Sequence, residues 1–300
     1  MGTLYLVATP IGNLEDITLR ALRVLKQVSL IAAEDTRTAR KLLAHFDIAK
    51  PVTSYFEHNK LTKLEAILRA LEQGDVAVIS EAGTPGLSDP GYELVRAALA
   101  RGYRVVPIPG ANAVITALVA SGLPTDQFVY LGFLPRQRSA RRRLLQTLAN
   151  EPRTLIAYEA PHRVCQTLED IAEILGARAI CVARELTKMH EEFFRGTVDQ
   201  AREHFRAHAP RGEFTLVIAG KSDEGTKDER RRTKDADEKS EDEWNDARVV
   251  AAVRALMDAG VARTEAVKQV ARQARRARRQ VYRLVVEISE PMSQGARGEG

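Results

Sequence analysis

Short apolar runs alternate with helix-periodic stretches through the first 122 residues of this 300-residue chain, and that alternation constrains the fold more than any other feature. Residues 3–8, 29–33, 76–80 and 104–108 read as buried strands, and 18–27, 36–45, 60–73, 92–100 and 111–120 read as helices. A strand apolar at successive positions is covered on both faces, and the intervening helices supply the cover. The pattern predicts a largely parallel sheet flanked by helices.

The series breaks at Gly122-Leu123-Pro124, and a domain boundary is placed there. A second series follows, with strands at 128–131, 154–158, 179–183, 191–194 and 214–218 and helices at 144–148, 164–175 and 198–204. Its last three strands come closer together in the chain, which predicts an antiparallel component. In residues 221–243, 17 of 23 side chains are charged with mixed sign and almost none is apolar. Such a stretch cannot bury enough surface to offset the entropy of ordering, so it reads as a flexible linker. An acidic interaction tail fits less well, because both signs are present. Beyond it, 244–257, 264–274 and 278–288 read as three helices, the first ended by Gly260. Leu256, Val261, Val267, Val270, Val281, Leu284 and Val285 are their candidate core. The expected organisation is an α/β domain at 1–122, a second at 123–220, the linker, an all-helical unit at 244–290 and a tail at 291–300.

No apolar run approaches the roughly 20 residues needed to span a bilayer, and the first ten residues lack the basic leader of a secretory signal. A cytoplasmic protein is expected. Cys165 and Cys181 sit in apolar stretches with no partner at metal-ligand spacing, so they read as small buried hydrophobes and no metal is expected. The net charge of +5 is a weak pointer to a polyanion. The distribution says more. Arg272, Arg275, Arg276, Arg278, Arg279 and Arg283 crowd one stretch with no acidic residue among them, and Arg136, Arg138, Arg141, Arg142 and Arg143 form a second run. Each run is either a solvated helix face or a surface for phosphate backbone.

Three loops carry the chemistry. Ala8-Thr9-Pro10-Ile11-Gly12-Asn13 joins a strand to a helix, where α/β folds bind ligands, but a single Gly is no dinucleotide fingerprint. Residues 80–91 place three Gly and two Pro directly after an apolar strand. Glycine admits close backbone approach and proline fixes geometry, so this loop is specified beyond the needs of a plain connection and reads as a ligand cradle. Val106-Pro107-Ile108-Pro109-Gly110-Ala111 repeats the strand-turn-helix pattern.

Thr9 to Leu14, Glu34-Asp35-Thr36-Arg37, Ala82-Gly83-Thr84-Pro85 with Asp89-Pro90-Gly91, and Pro107-Ile108-Pro109-Gly110, in this order, resemble the tetrapyrrole methylase superfamily. Gly132-Phe133-Leu134-Pro135, Tyr158 to Arg163 and Ala183 to Lys188 resemble its ribosomal RNA branch, which methylates the 2′-oxygen of a cytidine in the decoding region of 16S ribosomal RNA. The resemblance runs from about residue 3 to 220. It implies two α/β domains with S-adenosylmethionine in the cleft between them, a homodimer, and the small ribosomal subunit as partner. By position it assigns Pro10, Glu81, Ala82, Gly83, Leu87, Thr116, Ala117 and Phe133 to the cofactor. The family loop has Asp where this chain has Glu81, which leaves a direct role for Glu81 open.

Methyl transfer to a ribose hydroxyl needs alignment, exclusion of water and help with the departing proton. Glu185 and Lys188 are expected as a polarising pair near the 2′-oxygen, with Glu159 a further catalytic candidate. Arg37, His58, Asn59, His162, Arg163, Arg184, Arg141, Arg142, Arg275, Arg276 and Arg279 are expected on the RNA. Bland alternatives stand beside these: Glu34, Asp35 and Arg37 as a helix cap with an ion pair, and His162 as a structural histidine. Competing functions are methylation of a porphyrin, a corrin or a modified histidine within the same superfamily, and a non-catalytic ribosome-assembly factor. A nicotinamide oxidoreductase fails for want of the fingerprint.

Overall fold

The apolar run at Val76–Ile79 becomes a strand buried at all four residues, as a strand covered on both faces must be. It is β4 of the first sheet in the computed structural model, which describes residues 2–56, 60–221, 244–274 and 276–287. With β1 (Thr3–Val7), β2 (Leu30–Ala33), β3 (Val52–Ser54) and β5 (Arg104–Ile108) it forms a five-stranded sheet in the order β3-β2-β4-β1-β5. Every pairing in it is parallel. The connecting helices are α1 (Leu19–Gln27), α2 (Thr36–His45), α3 (Lys60–Gln73) and α4 (Tyr92–Ala100). Successive residues of β4 serve opposite layers: Ala77 and Ile79 pack with Val24 and Leu25 of α1 and Leu43 of α2, while Val76 and Val78 pack with Leu68 of α3 and Leu94 of α4. Each fully buried Leu or Val contributes about 1.5–3 kcal/mol of transfer free energy, so the two layers dominate the stability of this sheet.

The second sheet contains β6 (Phe128–Phe133), β7 (Thr154–Glu159), β8 (Ala179–Arg184), β9 (Glu192–Thr197) and β10 (Phe214–Ile218), in the order β6-β7-β10-β8-β9. Only β6 and β7 run parallel; the remaining pairs are antiparallel, as the close spacing of the later strands predicts. Helices α6 (Arg138–Thr147), α7 (Val164–Leu175) and α8 (Val198–Ala207) cover one face through Leu145, Leu168, Ile171 and Phe205. The other face is covered by α5 (Ala113–Ser121), whose Val114, Ala117 and Leu118 pack on Ile156, Cys181 and Val217. This last helix of the first series therefore docks on the second sheet, and residues 1–221 form one compact unit. Asn112 caps the start of α5 by accepting from the Ile115 amide, and Gly122, at φ 79°, ends it in a left-handed conformation that glycine adopts without a Cβ penalty.

Several element bounds differ from the sequence expectation. β3 is absent from it, being three half-buried residues. Helix α6 begins at Arg138 rather than 144, because its arginines have an anchor on α7. Strand β9 extends to Thr197.

The remaining described residues form a separate three-helix unit: α9 (Asp246–Asp258), α10 (Arg263–Gln273) and α11 (Arg278–Glu287). Val267, Val270, Val281 and Val285 are buried as expected, with Leu256, Val261 and Leu284 packed against them, and Val249, Val250 and Val253 of α9 complete the core. Asn245 caps α9 by accepting from the Arg248 amide. The charged stretch from 222 to 243 and residues 288–300 lie outside the described residues, as do His58, Asn59 and Arg275. Among the described residues no helix is long and apolar enough to cross a membrane.

Candidate active site at the cleft between the two sheets

Strands β1 and β4 are neighbours, and the loops after both leave the same edge of the sheet. A two-bond bridge joins them: the Thr9 amide donates to the Gly83 carbonyl (2.9 Å) and the Gly83 amide to the Thr9 carbonyl (3.1 Å). The Ser80 hydroxyl lies 3.3 Å from the carbonyls of Ala82 and Gly83 and pins the turn from inside. Gly83 sits at φ 80°, and a Cβ there would lie 3.3 Å from the Ile11 side chain, so the turn selects glycine by backbone and by space.

These loops form one wall of a cleft of about 500 Å³. Pro10, Glu81, Ala82, Gly83, Leu87 and Phe133 all line it, as the resemblance implies. Tyr158, Leu186, Phe214 and Thr215 complete the opposite wall from the second sheet. Thr116 and Ala117 do not line it. Ala117 is fully buried against the second sheet, and α5 meets the cleft one turn earlier, through Asn112 and Ala113.

One end of the cleft is acidic. Glu34 accepts from the Glu81 amide at 3.3 Å, and Asp89 lies with them on the lining. Burial raises the Glu34 carboxyl, and the charges of Glu81 and Asp35 add to that against the backbone hydrogen bond. Burial, then the charges of Glu34 and Glu81, push Asp89 up to about 7, despite its hydrogen bond to Ser80. A positively charged ligand group would relieve this repulsion. The sequence offers Asp89 only as a motif residue without a site role, although an acid inside a Gly/Pro loop after a strand is a usable signal. Its neighbour Ser88 is held at φ 64°, with its hydroxyl 2.7 Å from that of Tyr130 on β6.

The turn after β8 brings Lys188 to the cleft, with Glu185 bonded to it behind the lining. Glu185 and Thr187 both lie in the left-handed region, at φ 49° and 66°, which costs non-glycine residues free energy that the surrounding bonds must offset. The Glu185 amide donates to the Glu213 carbonyl, the Lys188 amide to the Glu185 carbonyl, and the Thr187 amide to the Glu191 carboxylate. Lys188 Nζ is 2.8 Å from Glu185 Oε1 and 3.6 Å from a Glu213 carboxylate oxygen. Burial alone would lower the Lys188 ammonium, but the Glu185 hydrogen bond and both carboxylate charges outweigh it and hold the group above its usual range. The Lys188 hydrogen bond in turn holds Glu185 below the usual carboxylate range. The cleft thus contains a fixed ammonium that stays charged at neutral pH.

Other expected residues have different settings. Glu159 lines the cleft but is only 1% exposed, and both its carboxylate oxygens have partners in the Ala160 amide, the Thr167 hydroxyl and the Arg163 guanidinium. It anchors Arg163, which also donates to the Leu134 carbonyl. Arg184 pairs with Glu192, which is shared with His204. His162 is exposed, and Arg37 is exposed beside Asp35, whose side chain caps α2. Arg141 is wholly buried, 2.6 Å from Asp170, which is also buried and also receives Arg138 and Arg142. Burial would raise Asp170, yet the three guanidinium groups hold it low. Arg141 cannot meet RNA, and Arg142 is partly committed to Asp170 and Glu173. In the helical unit Arg276 is held by Asp246 and the Trp244 carbonyl, whereas Arg279 is exposed.

A two-sheet fold with a backbone-lined cleft at the ends of parallel strands defines a class, and the model of the tetrapyrrole (corrin/porphyrin) methylases matches residues 3–202. The chain belongs to that family, whose methyltransferases use S-adenosylmethionine. It is 49% identical over 290 residues to a ribosomal RNA small subunit methyltransferase I of Synechocystis, covering 96% of this chain and 99% of that one. A relative of the same name from Halalkalibacterium halodurans is 47% identical over 284 residues, 94% of each chain. Among solved structures, a cobalt precorrin-4 methyltransferase of cobalamin biosynthesis shares the fold, with a TM-score of 0.56 at 17% identity over 72% of this chain and 94% of that one.

Proposed function

We propose that the chain methylates the 2′-oxygen of a cytidine in the decoding region of 16S ribosomal RNA, within the small ribosomal subunit, using S-adenosylmethionine. The observation that carries this reading is the Lys188–Glu185 pair: a charged ammonium fixed at a cleft, in a chain so similar to relatives named for ribosomal RNA. The cleft suits the cofactor. Its volume falls within the range of about 300–1,000 Å³ for small-molecule sites. Its acidic end complements cationic groups, and Phe133, 57% exposed, offers apolar surface to a purine. Pro10, Ala82, Gly83, Leu87 and Phe133 would hold the cofactor, with Glu81 and Asp89 at its charged end. When bound, it supplies an electrophilic methyl group.

The chain's own residues then prepare the oxygen. Lys188 offers positive charge where the hydroxyl oxygen becomes negative, and a donor fixed beforehand needs no reorganisation during reaction. Glu185 and Glu213 hold that ammonium in place. Glu159 acts through Arg163, which with Arg37, His162, Arg184 and Arg142 positions phosphates; Arg276 and Arg279 serve RNA from the helical unit. Phosphate contacts of this kind orient RNA without reading sequence. On this reading the protein works in the cytoplasm as a homodimer. The test is labelled-methyl transfer, offered in parallel to small ribosomal subunits and to free tetrapyrroles. Label is expected in the subunits; label in tetrapyrrole alone would reject the RNA substrate.

A further inference from the structure

A second cavity, of about 360 Å³, opens beside the first, between the loop after β1 and helix α2. The two share Pro10, Gly12, Thr38 and Glu81 as a common wall. Away from that wall the second cavity is lined by Leu14 and Leu42 and carries Lys41 and His45, both exposed, on its lining. Leu14 is 40% exposed, an apolar side chain offered to the cavity rather than to a core. The reaction as derived above does not use this space.

Its chemistry defines an occupant. The leucines offer a flat ring an apolar bed, and base–apolar and base–aromatic contacts hold unstacked bases in this way. Lys41 and His45 suit a phosphate. Glu81, on the shared wall, is a carboxylate acceptor, and a carboxylate accepts from the exocyclic amino group of cytosine, whereas uracil presents a carbonyl at that position. The shared wall also adjoins the charged pair: a Cβ on Gly12 would lie 2.4 Å from Lys188 Cγ and 3.0 Å from its Cε.

We propose that this second cavity receives an unstacked cytosine nucleotide of the RNA. The base lies between Leu14 and Leu42 with its amino group toward Glu81, and its phosphate meets Lys41. Its ribose is then left at the Gly12 wall, beside Lys188. This rests on the methyl-transfer reading and deepens it by giving the substrate nucleotide its own pocket. It also gives Glu81 a role in choosing the base, alongside any contact with the cofactor.

The test combines two measurements on the full-length protein. In the first, the unloaded protein is titrated calorimetrically with cytidine and uridine 5′-monophosphates. In the second, cofactor binding and methyl transfer to small subunits are compared for wild type, Leu42→Trp and Lys41→Glu. Leu42→Trp fills the second cavity without reaching the first, since Leu42 does not line the first. Wild type should bind cytidine monophosphate saturably and prefer it to uridine monophosphate by about tenfold, the discrimination one amino-to-carboxylate contact supplies. Glu81→Gln should erase that preference. Leu42→Trp should bind S-adenosylmethionine as wild type does and lose about 100-fold in transfer, as for a misplaced substrate. Lys41→Glu, an exposed substitution, should weaken nucleotide binding without lowering the melting temperature. No saturable nucleotide binding by wild type, or full transfer by Leu42→Trp, would overturn the pocket and leave the methyl-transfer reading standing. Cytidine-selective binding abolished by Leu42→Trp, in a protein inert toward subunits, would support the pocket and reject that reading.

Discussion

A methyl group placed on Gly12 would lie 2.4 Å from Cγ of Lys188, so the loop after β1 and the turn after β8 interlock with no spare volume. The first sheet supplies the glycine and the second the lysine, and their contact sets where the ammonium stands in the cleft. Glu185 grips that ammonium from one side, and Gly212 makes room for Glu185: a Cβ there would lie 2.2 Å from its carboxylate oxygen. Two glycines distant in sequence thus shape the seat of one charged pair.

Gly12→Ala should displace Lys188 rather than unfold the chain. Methyl transfer is expected to fall by about 100-fold, the scale of loss from small misplacements at a reacting centre. Adding Lys188→Ala to Gly12→Ala should cost little more, because both changes remove the same positioned ammonium. Single-turnover rates for the two single variants and the double variant check this; additive losses would contradict it.

Lys188→Ala should lower transfer by about 100- to 1,000-fold, the usual effect of removing one preorganised donor to a developing oxyanion. Stability should change by about 1 kcal/mol or less, since the pair is partly solvated. The signs of the two shifts agree over the neutral range. The raised Lys188 contributes fully below its unfolded value of 10.5 and loses its contribution only as pH rises through a still higher folded value. The lowered Glu185 contributes above 4.5 and loses its contribution as pH falls through its folded value. Chemical denaturation near neutrality, beside transfer assays, separates the two effects.

Asp89 makes an opposite prediction. Its folded value is about 7 against 3.8 for an unperturbed carboxyl, so the folded protein keeps a proton that the unfolded chain has lost across that window. Its contribution is fully present below 3.8 and disappears as pH rises through about 7. Asp89→Asn has no proton to release, so its melting temperature should fall less across this range and exceed that of wild type above it. The raised Glu34 leaves a residual slope. Thermal melts over the window check this, and identical slopes for both proteins would refute it.

Arg141→Ala should destabilise the protein by about 3 kcal/mol, because it removes the wholly buried partner of Asp170 and leaves Arg138 and Arg142 alone to hold that carboxylate. Arg279→Ala, at an exposed position, should stay within about 0.5 kcal/mol of wild type and act on RNA affinity instead. Denaturant unfolding of both variants distinguishes a buried ion pair from a surface contact.

Much of this was legible in the chain, for identifiable reasons. Strands such as Val76–Ile79 announce themselves because a strand buried on both faces has no polar positions. The Gly/Pro content of residues 80–91 marked the cleft wall because each such residue specifies backbone geometry. Arg141 misled because its run looks uniformly basic, whereas helix period turns one member inward. Its partner was visible as an acid, Asp170, flanked by Leu168 and Ile171 on the apolar face of α7. Motif position does not say which sheet a helix faces, so the packing of Ala117 on the second sheet left no sign in the sequence. The left-handed backbone at Glu185 and Thr187 left no trace, since nothing local requires it; the bonds to Glu191 and Glu213 impose it. The second cavity arises from three segments of the chain, the loop after β1, helix α2 and the end of β4, and has no linear signature.

The central claim is tested most directly by identifying the methylated nucleoside. Small subunits from a strain lacking this gene are incubated with the protein and labelled S-adenosylmethionine, and the ribosomal RNA is digested to nucleosides. Label is expected in 2′-O-methylcytidine from a single decoding-region position, and is expected to be lost in Lys188→Ala. Label in a base-methylated nucleoside, or in subunit protein and not RNA, would contradict it.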